Sequence, residues 1–198
     1  MKLFYKIKTL IDVMKNIGNY GGKMNGLIEL AKCGDKDAFT ELIYLIRQDM
    51  YKIARLRLSC VDDIEDAMQE TMIEAFKSIK NLKKIENFKS WIFKILINKC
   101  NKIYKKRKRY NVSFEELNLE NYLTLNQTDN YEHEIEFYQM LKVLNYDEKL
   151  VILLFYKEDY SISVISKILN VNENTIKTRL RRAKEKIKVS YERGEING

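Results

Sequence analysis

Apolar residues return every three or four positions along most of this chain. Phe39, Leu42, Ile43, Ile46, Met50 and Ile53 form one such stripe. Ile64, Ala67, Met68, Met72, Ala75, Phe76 and Ile79 form a second. Near the C-terminus Ile176, Leu180, Ala183 and Ile187 recur at spacings of four, three and four. That period places each set on one buried helical face. The pattern predicts helices at 25–33, 36–58, 62–80 and 88–108, then near 136–144 and 147–157, and finally a helical pair within 161–187. Asp35 and Asp37 suit the start of the second helix, and Asp62 and Asp63 that of the third. With no proline and only seven glycines, nothing interrupts these stripes at strand spacing. The expected fold class is all-α.

Two segments escape the periodicity. Residues 111–135 are polar and acidic, with Glu115, Glu116, Glu120, Asp129, Glu132 and Glu134 and no Lys or Arg between them. Such a stretch has too few apolar residues to bury a core and reads as a flexible tether. It divides the chain into two small helical domains, 24–110 and 136–198. Residues 1–23 read as an N-terminal extension. Leu3, Ile7, Leu10, Ile11 and Met14 share a face there, and Gly18, Gly21, Gly22 and Gly26 follow. The extension is read as loosely held, with Met24 as an alternative start and a docking helix as the sharper option.

Composition narrows the chemistry. The net charge of +8 favours a polyanionic partner. Cys33, Cys60 and Cys100 are odd in number and lack ligand spacing, so they are expected to be reduced thiols in a cytoplasmic protein. No metal site and no cofactor are expected. His133, the single histidine, has no evident catalytic partner, and no run is apolar and long enough for membrane insertion.

Three constellations carry the functional signal. The first is SISVISKILNVNENTIKTRLRRAKEKI, residues 161–187. A short stripe of Ile162, Ile165, Ile168 and Leu169 leads to Asn170, which tolerates the left-handed conformation a helix–helix turn needs. Val171 plugs the corner, and Asn172 caps a second helix three residues before Thr175. Lys177, Arg179, Arg181, Arg182, Lys184, Lys186 and Lys188 cover its outer face. A helix so presented fits the major groove of DNA; the bland alternative is a helical hairpin with a solvated basic face. The second is VDDIEDAMQE, residues 61–70, with five acids in the opening turns of a helix. Acids there complement the helix dipole, and their excess also suits a basic protein partner. The third is FKSWIFKILINKCNKIYKKRKRY, residues 88–110, aromatic at first and cationic afterwards. Lys99 to Arg109 suit a phosphate backbone. Phe88, Trp91, Phe93 and Tyr104 either stack on unpaired bases or belong to the core, and core is the reading preferred for Trp91.

The order of these parts resembles a bacterial RNA polymerase sigma factor of the extracytoplasmic function type. The resemblance runs through LAKCGDKDAFTELIYLI (30–46), DDIEDAMQETMIEAFKSI (62–79), NFKSWIFKILINKC (87–100) and DEKLVILLFYKEDYSISVISKILNVNENTIKTRLRRAKEKI (147–187). It implies a first domain like sigma region two. There Asp63, Asp66, Gln69 and Glu70 would dock on the clamp helices of core polymerase, with Phe76 as packing. The loop Asn81 to Lys89, with Asn87 and Lys89, would capture a flipped base of the minus-ten element, and Asn98, Lys102 and Lys105 would face the melted strand. The second domain would read the minus-thirty-five duplex of promoter DNA through Thr175, Lys177, Thr178, Arg179 and Arg182, and touch the polymerase flap. The resemblance further implies control by an anti-sigma factor, often a membrane-anchored one.

The chain departs from the family in places. Ser166 and Asn170 stand where many relatives have Ala and Gly, Ile97 replaces a polar or basic residue, and NLKKIE (81–86) diverges most. The short inter-domain segment leaves no room for the region three domain of housekeeping sigma factors. Two other readings compete. An autonomous helix-turn-helix regulator explains 161–188 but leaves the acidic helix idle. A nucleic-acid-processing enzyme needs a metal-binding carboxylate cluster or an activated nucleophile, and the acids at 62–70 have no such partner.

Overall fold

The computed structural model describes residues 21–109, 137 and 139–194, and among them there is no strand. They fall into two compact units, one on each side of the 111–135 segment. That segment and residues 1–20 lie outside the described residues.

The first unit is built from α1 (Gly21–Lys32), α2 (Lys36–Arg55), α3 (Val61–Ser78) and α4 (Phe88–Arg109). Helix α1 starts earlier than the periodicity suggests and runs through Gly22 and Gly26. Gly34, at φ +96°, makes the turn out of it, a conformation that costs a side-chain-bearing residue about 1–2 kcal/mol. Asp35 then caps α2 by accepting from the Asp37 and Ala38 N–H groups at 2.9 and 3.0 Å. Helix α2 stops at Arg55 rather than near 58, because Arg57 and Leu58 N–H both fold back onto the Ala54 carbonyl. The Arg55 guanidinium secures this turn by donating to the Ser59 carbonyl at 2.8 Å.

Helix α3 corrects an expectation. Its cap is Cys60, which makes no side-chain capping bond, and Asp62 and Asp63 lie inside the first turn. They serve the helix dipole rather than the cap. The predicted stripes of α2 and α3 face each other and α4, with Leu42, Met50, Ile64, Ala67, Ile92, Phe93 and Leu96 removed from solvent. Burial of each such leucine, isoleucine or phenylalanine stabilises by roughly 1.5–3 kcal/mol. Phe39 meets Phe76 edge-on at 5.1 Å. Thr71, buried in this interface, satisfies its hydroxyl on the Ala67 carbonyl at 2.6 Å. Two single 3₁₀ turns, Ile79–Asn81 and Ile85–Asn87, carry the chain from α3 to α4. Buried Leu82 pins the connection from below.

The second unit opens on the buried side chains Phe137, Met140, Leu141 and Leu144. Helix α5 (Tyr146–Ile152) follows, started by a reciprocal capping box between Asn145 and Glu148. The sequence suggests an unbroken helix to 157. Instead the backbone widens over Leu153–Lys157, where the Glu158 N–H bonds to the Leu153 carbonyl five residues back at 3.2 Å. Asp159 then turns the chain at φ 57°.

Helix α6 (Ile162–Leu169) is capped by Ser161, and α7 (Glu173–Glu192) by Asn172. Between them Asn170 sits at φ 54°, ψ 47°, the left-handed conformation expected of it. The Asn172 side chain accepts from both the N–H and the hydroxyl of Thr175, at 2.8 and 2.9 Å. Ile165, Ile168, Ile176, Leu180, Ala183 and Ile187 are buried, so both predicted stripes turn inward. Val171 is half-buried at the corner.

Candidate nucleic-acid interface

Because α7 buries positions 176, 180, 183 and 187, its remaining faces must meet solvent. Lys177, Thr178, Arg181, Arg182 and Lys188 are exposed, and Thr175 is half-buried at the first turn. The Thr178 hydroxyl donates to the Asn174 carbonyl at 2.8 Å. Among the expected DNA-facing residues Arg179 stands apart. Its Nη2 donates to Asp147 Oδ2 at 2.8 Å, reaching from α7 to the first turn of α5. Asn145, Asp147, Glu148, Asn172, Asn174, Thr175, Thr178, Arg179 and Arg182 line one open polar hollow here. Two further cations of the basic face reach across to α5 and the widened turn after it. Lys186 pairs at 2.8 Å with Glu148, whose side chain is only 5% exposed. Lys184 lies over Phe155 and Tyr156, 5.8 and 5.3 Å from the ring centroids.

In the first unit the expected strand-facing residues of α4 are accessible. Asn98, Lys102 and Lys105 are exposed, and their spacing of four and three sets them in one line along the helix. Asn87 is exposed beside a hollow lined by Glu29, Lys32, Lys83, Lys84, Ile85 and Glu86. Lys89 belongs to the fold as well: its Nζ pairs with Asp49 at 2.8 Å and lies 5.5 Å from the Phe93 ring.

A stacking platform of four aromatics does not form. Phe88 and Phe93 are core, and the Arg57 guanidinium covers Tyr104 at 3.7 Å. Trp91, expected in the core, is half-buried and packs 6.0 Å from Phe88.

The acidic helix holds the main surprise. Asp63, expected on the docking face, accepts from Arg107 Nη2 at 2.7 Å, and its side chain is only 13% exposed. The carboxylate is therefore spent within the fold, and one cation of the expected strand-facing run is spent with it. The Asp63 hydrogen bond raises the Arg107 pKa further above its ordinary value. Lys99 bridges Glu74 at 2.7 Å and Glu70 at 3.3 Å. The Glu74 hydrogen bond leads in raising its pKa, against the opposing cost of burial. What α3 presents outward is Asp62, Glu65, Asp66 and Gln69, flanked by Val61 and Ile73 at 51% and 55% exposure.

Reading the sequence alone missed Asp147 and Glu148. Asn145 and Glu148 have capping-box spacing, which signals a helix start but not the partners across the fold.

Burial also sets two titrations. Cys100 is pushed up to about 12 by desolvation, which keeps it a thiol, and desolvation lowers Lys149. Among the described residues no group of His, Cys, Asp or Glu is arranged to hold a metal ion. No helix there is long and apolar enough to cross a membrane.

Two helical units, the second a helix-turn-helix whose outer helix is lined with cations, define a DNA-binding protein. Comparison with known proteins narrows this. Sigma-70 region 2 matches residues 42–110, and sigma-70 region 4 matches residues 134–187. The RNA polymerase sigma factor SigV of Bacillus subtilis (strain 168) is 30% identical over 151 residues, 76% of this chain and 89% of that protein. The ECF RNA polymerase sigma factor SigW of the same organism is 27% identical over 173 residues, 81% of this chain and 92% of its own. Two solved structures share the fold at a TM-score of 0.58. CnrH, in complex with the cytosolic domain of CnrY, is 19% identical, covering 85% of this chain and 97% of that one. RpoE of Bartonella quintana, in complex with the anti-sigma factor NepR, is 23% identical, covering 80% and 98%. The chain belongs to the RNA polymerase sigma factors, in the ECF group of the sigma-70 family.

Proposed function

We propose that this protein binds core RNA polymerase and directs it to promoters by reading a minus-ten and a minus-thirty-five element. It acts in the cytoplasm, as an initiation factor with no catalytic role of its own. The first domain, 24–110, meets the polymerase clamp through the exposed face of α3, with Asp66 and Gln69 at its centre and Glu70 at its edge. Asp63 serves that face indirectly, by locking α4 against α3. The minus-ten strand runs along Asn98, Lys102 and Lys105, and its unstacked base is received near Asn87 in the α3–α4 connection. Unstacking costs a few kcal/mol per base, which a pocket beside a basic helix offsets. The second domain, 136–198, presents Thr175, Lys177, Thr178, Arg179 and Arg182 to the duplex and touches the flap. Residues 111–135 tether the two, so that engagement of one raises the effective concentration of the other.

The observation that carries this reading is the pairing of two matched sigma regions with exposed cationic lines on α4 and α7. A stand-alone helix-turn-helix regulator leaves the first of these unexplained. The complexes seen for CnrH and RpoE support control by an anti-sigma factor, which by family habit is often membrane-anchored. The test is run-off transcription with purified core polymerase. Promoter-specific transcripts that require this chain are the expected result. Operator binding as a dimer, with no association with core, would sink the proposal.

A further inference from the structure

The reading of α7 as the minus-thirty-five helix leaves one carboxylate unexplained. Asp147 lies in the hollow beside Thr175, Thr178 and Arg182, on the side that would approach the DNA. A half-exposed acid there repels phosphate, so its presence weakens attraction to any duplex. Its geometry supplies a return. Asp147 Oδ2 takes one N–H of Arg179 at 2.8 Å, and the arginine side chain is only 25% exposed against 51% for the acid. Arg182, three residues on, is exposed and has no ion pair among the described residues.

Two arginines one turn apart are thus in different states. A free arginine samples many rotamers and seeks phosphate as readily as a base edge. An arginine with one Nη hydrogen held by a carboxylate keeps its other donors, in a fixed plane. Those donors match the O6 and N7 acceptors of guanine in the major groove.

We infer that Asp147 is a positioning residue for sequence discrimination. It holds the Arg179 guanidinium as a rigid fork for a guanine of the minus-thirty-five element and keeps it off the phosphates. Arg182 supplies the backbone contact that Arg179 is denied. This rests on the proposed function, since it presumes that α7 enters the groove.

The experiment uses holoenzyme assembled from the full chain and core polymerase. It is exposed to a duplex promoter library randomised through the minus-thirty-five element, and bound sequences are counted at two salt concentrations. The proteins are the parent, Asp147→Asn, Asp147→Glu, Arg179→Ala and the double variant Asp147→Asn/Arg179→Ala. Asp147→Asn should reduce the preference for guanine at one position by roughly tenfold, approaching Arg179→Ala. It should also steepen the dependence of log affinity on log salt by roughly one unit, because the released arginine gains a phosphate. Asp147→Glu should keep most of the preference. In the Arg179→Ala background, Asp147→Asn should leave base preference unchanged while affinity for every duplex rises as the repulsion of phosphate is lifted, which separates positioning from a general loss of structure.

A parent holoenzyme that selects no minus-thirty-five sequence overturns the proposed function. Loss of preference in Arg179→Ala with full retention in Asp147→Asn overturns the inference alone. So does an equal effect of Asp147→Asn on base preference with and without Arg179. Preference unaltered in Arg179→Ala removes this arginine as a reader, and the inference with it.

Discussion

Helices α3 and α4 of the first unit and helix α7 of the second carry comparable runs of charge, yet they use them differently. On α3 and α4 acids and bases are interleaved across a helix interface. Asp63 takes Arg107, and Glu70 and Glu74 share Lys99. On α7 the basic face is anchored at two points by acids of α5, Arg179 on Asp147 and Lys186 on Glu148. Lys177 and Arg182 stay in solvent. A charge run thus has two populations: residues that fix helix against helix, and residues left free for a ligand. Only the second kind changes binding without changing stability.

The comparison can be tested by mutation, most severely at Asp63. Asp63→Lys places a second cation against Arg107 in a partly buried site. It should lower unfolding stability by about 2–3 kcal/mol, the scale of a lost hydrogen bond between charged groups, and chemical denaturation reads it directly. Next in size is Arg179→Ala, which should cost about 1–3 kcal/mol in binding a matched promoter, measured by titrating holoenzyme onto duplex. Because it also severs the tie to half-exposed Asp147, it should lower unfolding stability as well, by up to about 1 kcal/mol.

Asp66→Lys should weaken binding to core polymerase about tenfold, as charge reversal in an interface does, while leaving the denaturation curve in place. A stability loss like that of Asp63→Lys would erase the distinction drawn between the two acids. Smallest is Lys188→Ala, remote from the turn and, among the described residues, paired with Glu192 at 3.7 Å on its own helix. It should change promoter affinity by less than about 0.5 kcal/mol and base preference not at all.

Much of the fold was legible because its rules are local. The stripe 176–180–183–187, the left-handed Asn170 and the caps at Asp35 and Asn172 each depend on residues within one or two turns. The missed features depend on elements far apart in sequence. Asp63 meets Arg107 across 44 residues, and Asp147 meets Arg179 across 32. Nothing in either segment alone tells a docking acid from a locking one, since that is decided by how the helices cross. The widened turn at Leu153–Lys157 was hidden for another reason: its residues keep an apolar pattern that an unbroken helix would satisfy equally well.

The burial of Cys100 bears on how this protein can be watched. Its thiol is 1% exposed and resists ionisation to about 12, so it is shielded from maleimides and disulfide reagents while the first unit is closed. Cys33 is exposed and Cys60 partly so, which leaves Cys100 as the slow, final site of modification. Its trapping rate is a clock for the opening of that unit. The clock has a pH dependence of known sign. Below about 9, where the unfolded thiol is protonated, burial of the neutral form costs nothing extra. Between there and about 12 the unfolded state alone releases its proton, so stability falls and trapping accelerates. All three cysteines and the single tryptophan, Trp91, lie before residue 111. Thiol labelling and indole fluorescence therefore report one unit and are blind to the other, and a melt followed by both these probes and circular dichroism would separate their two transitions.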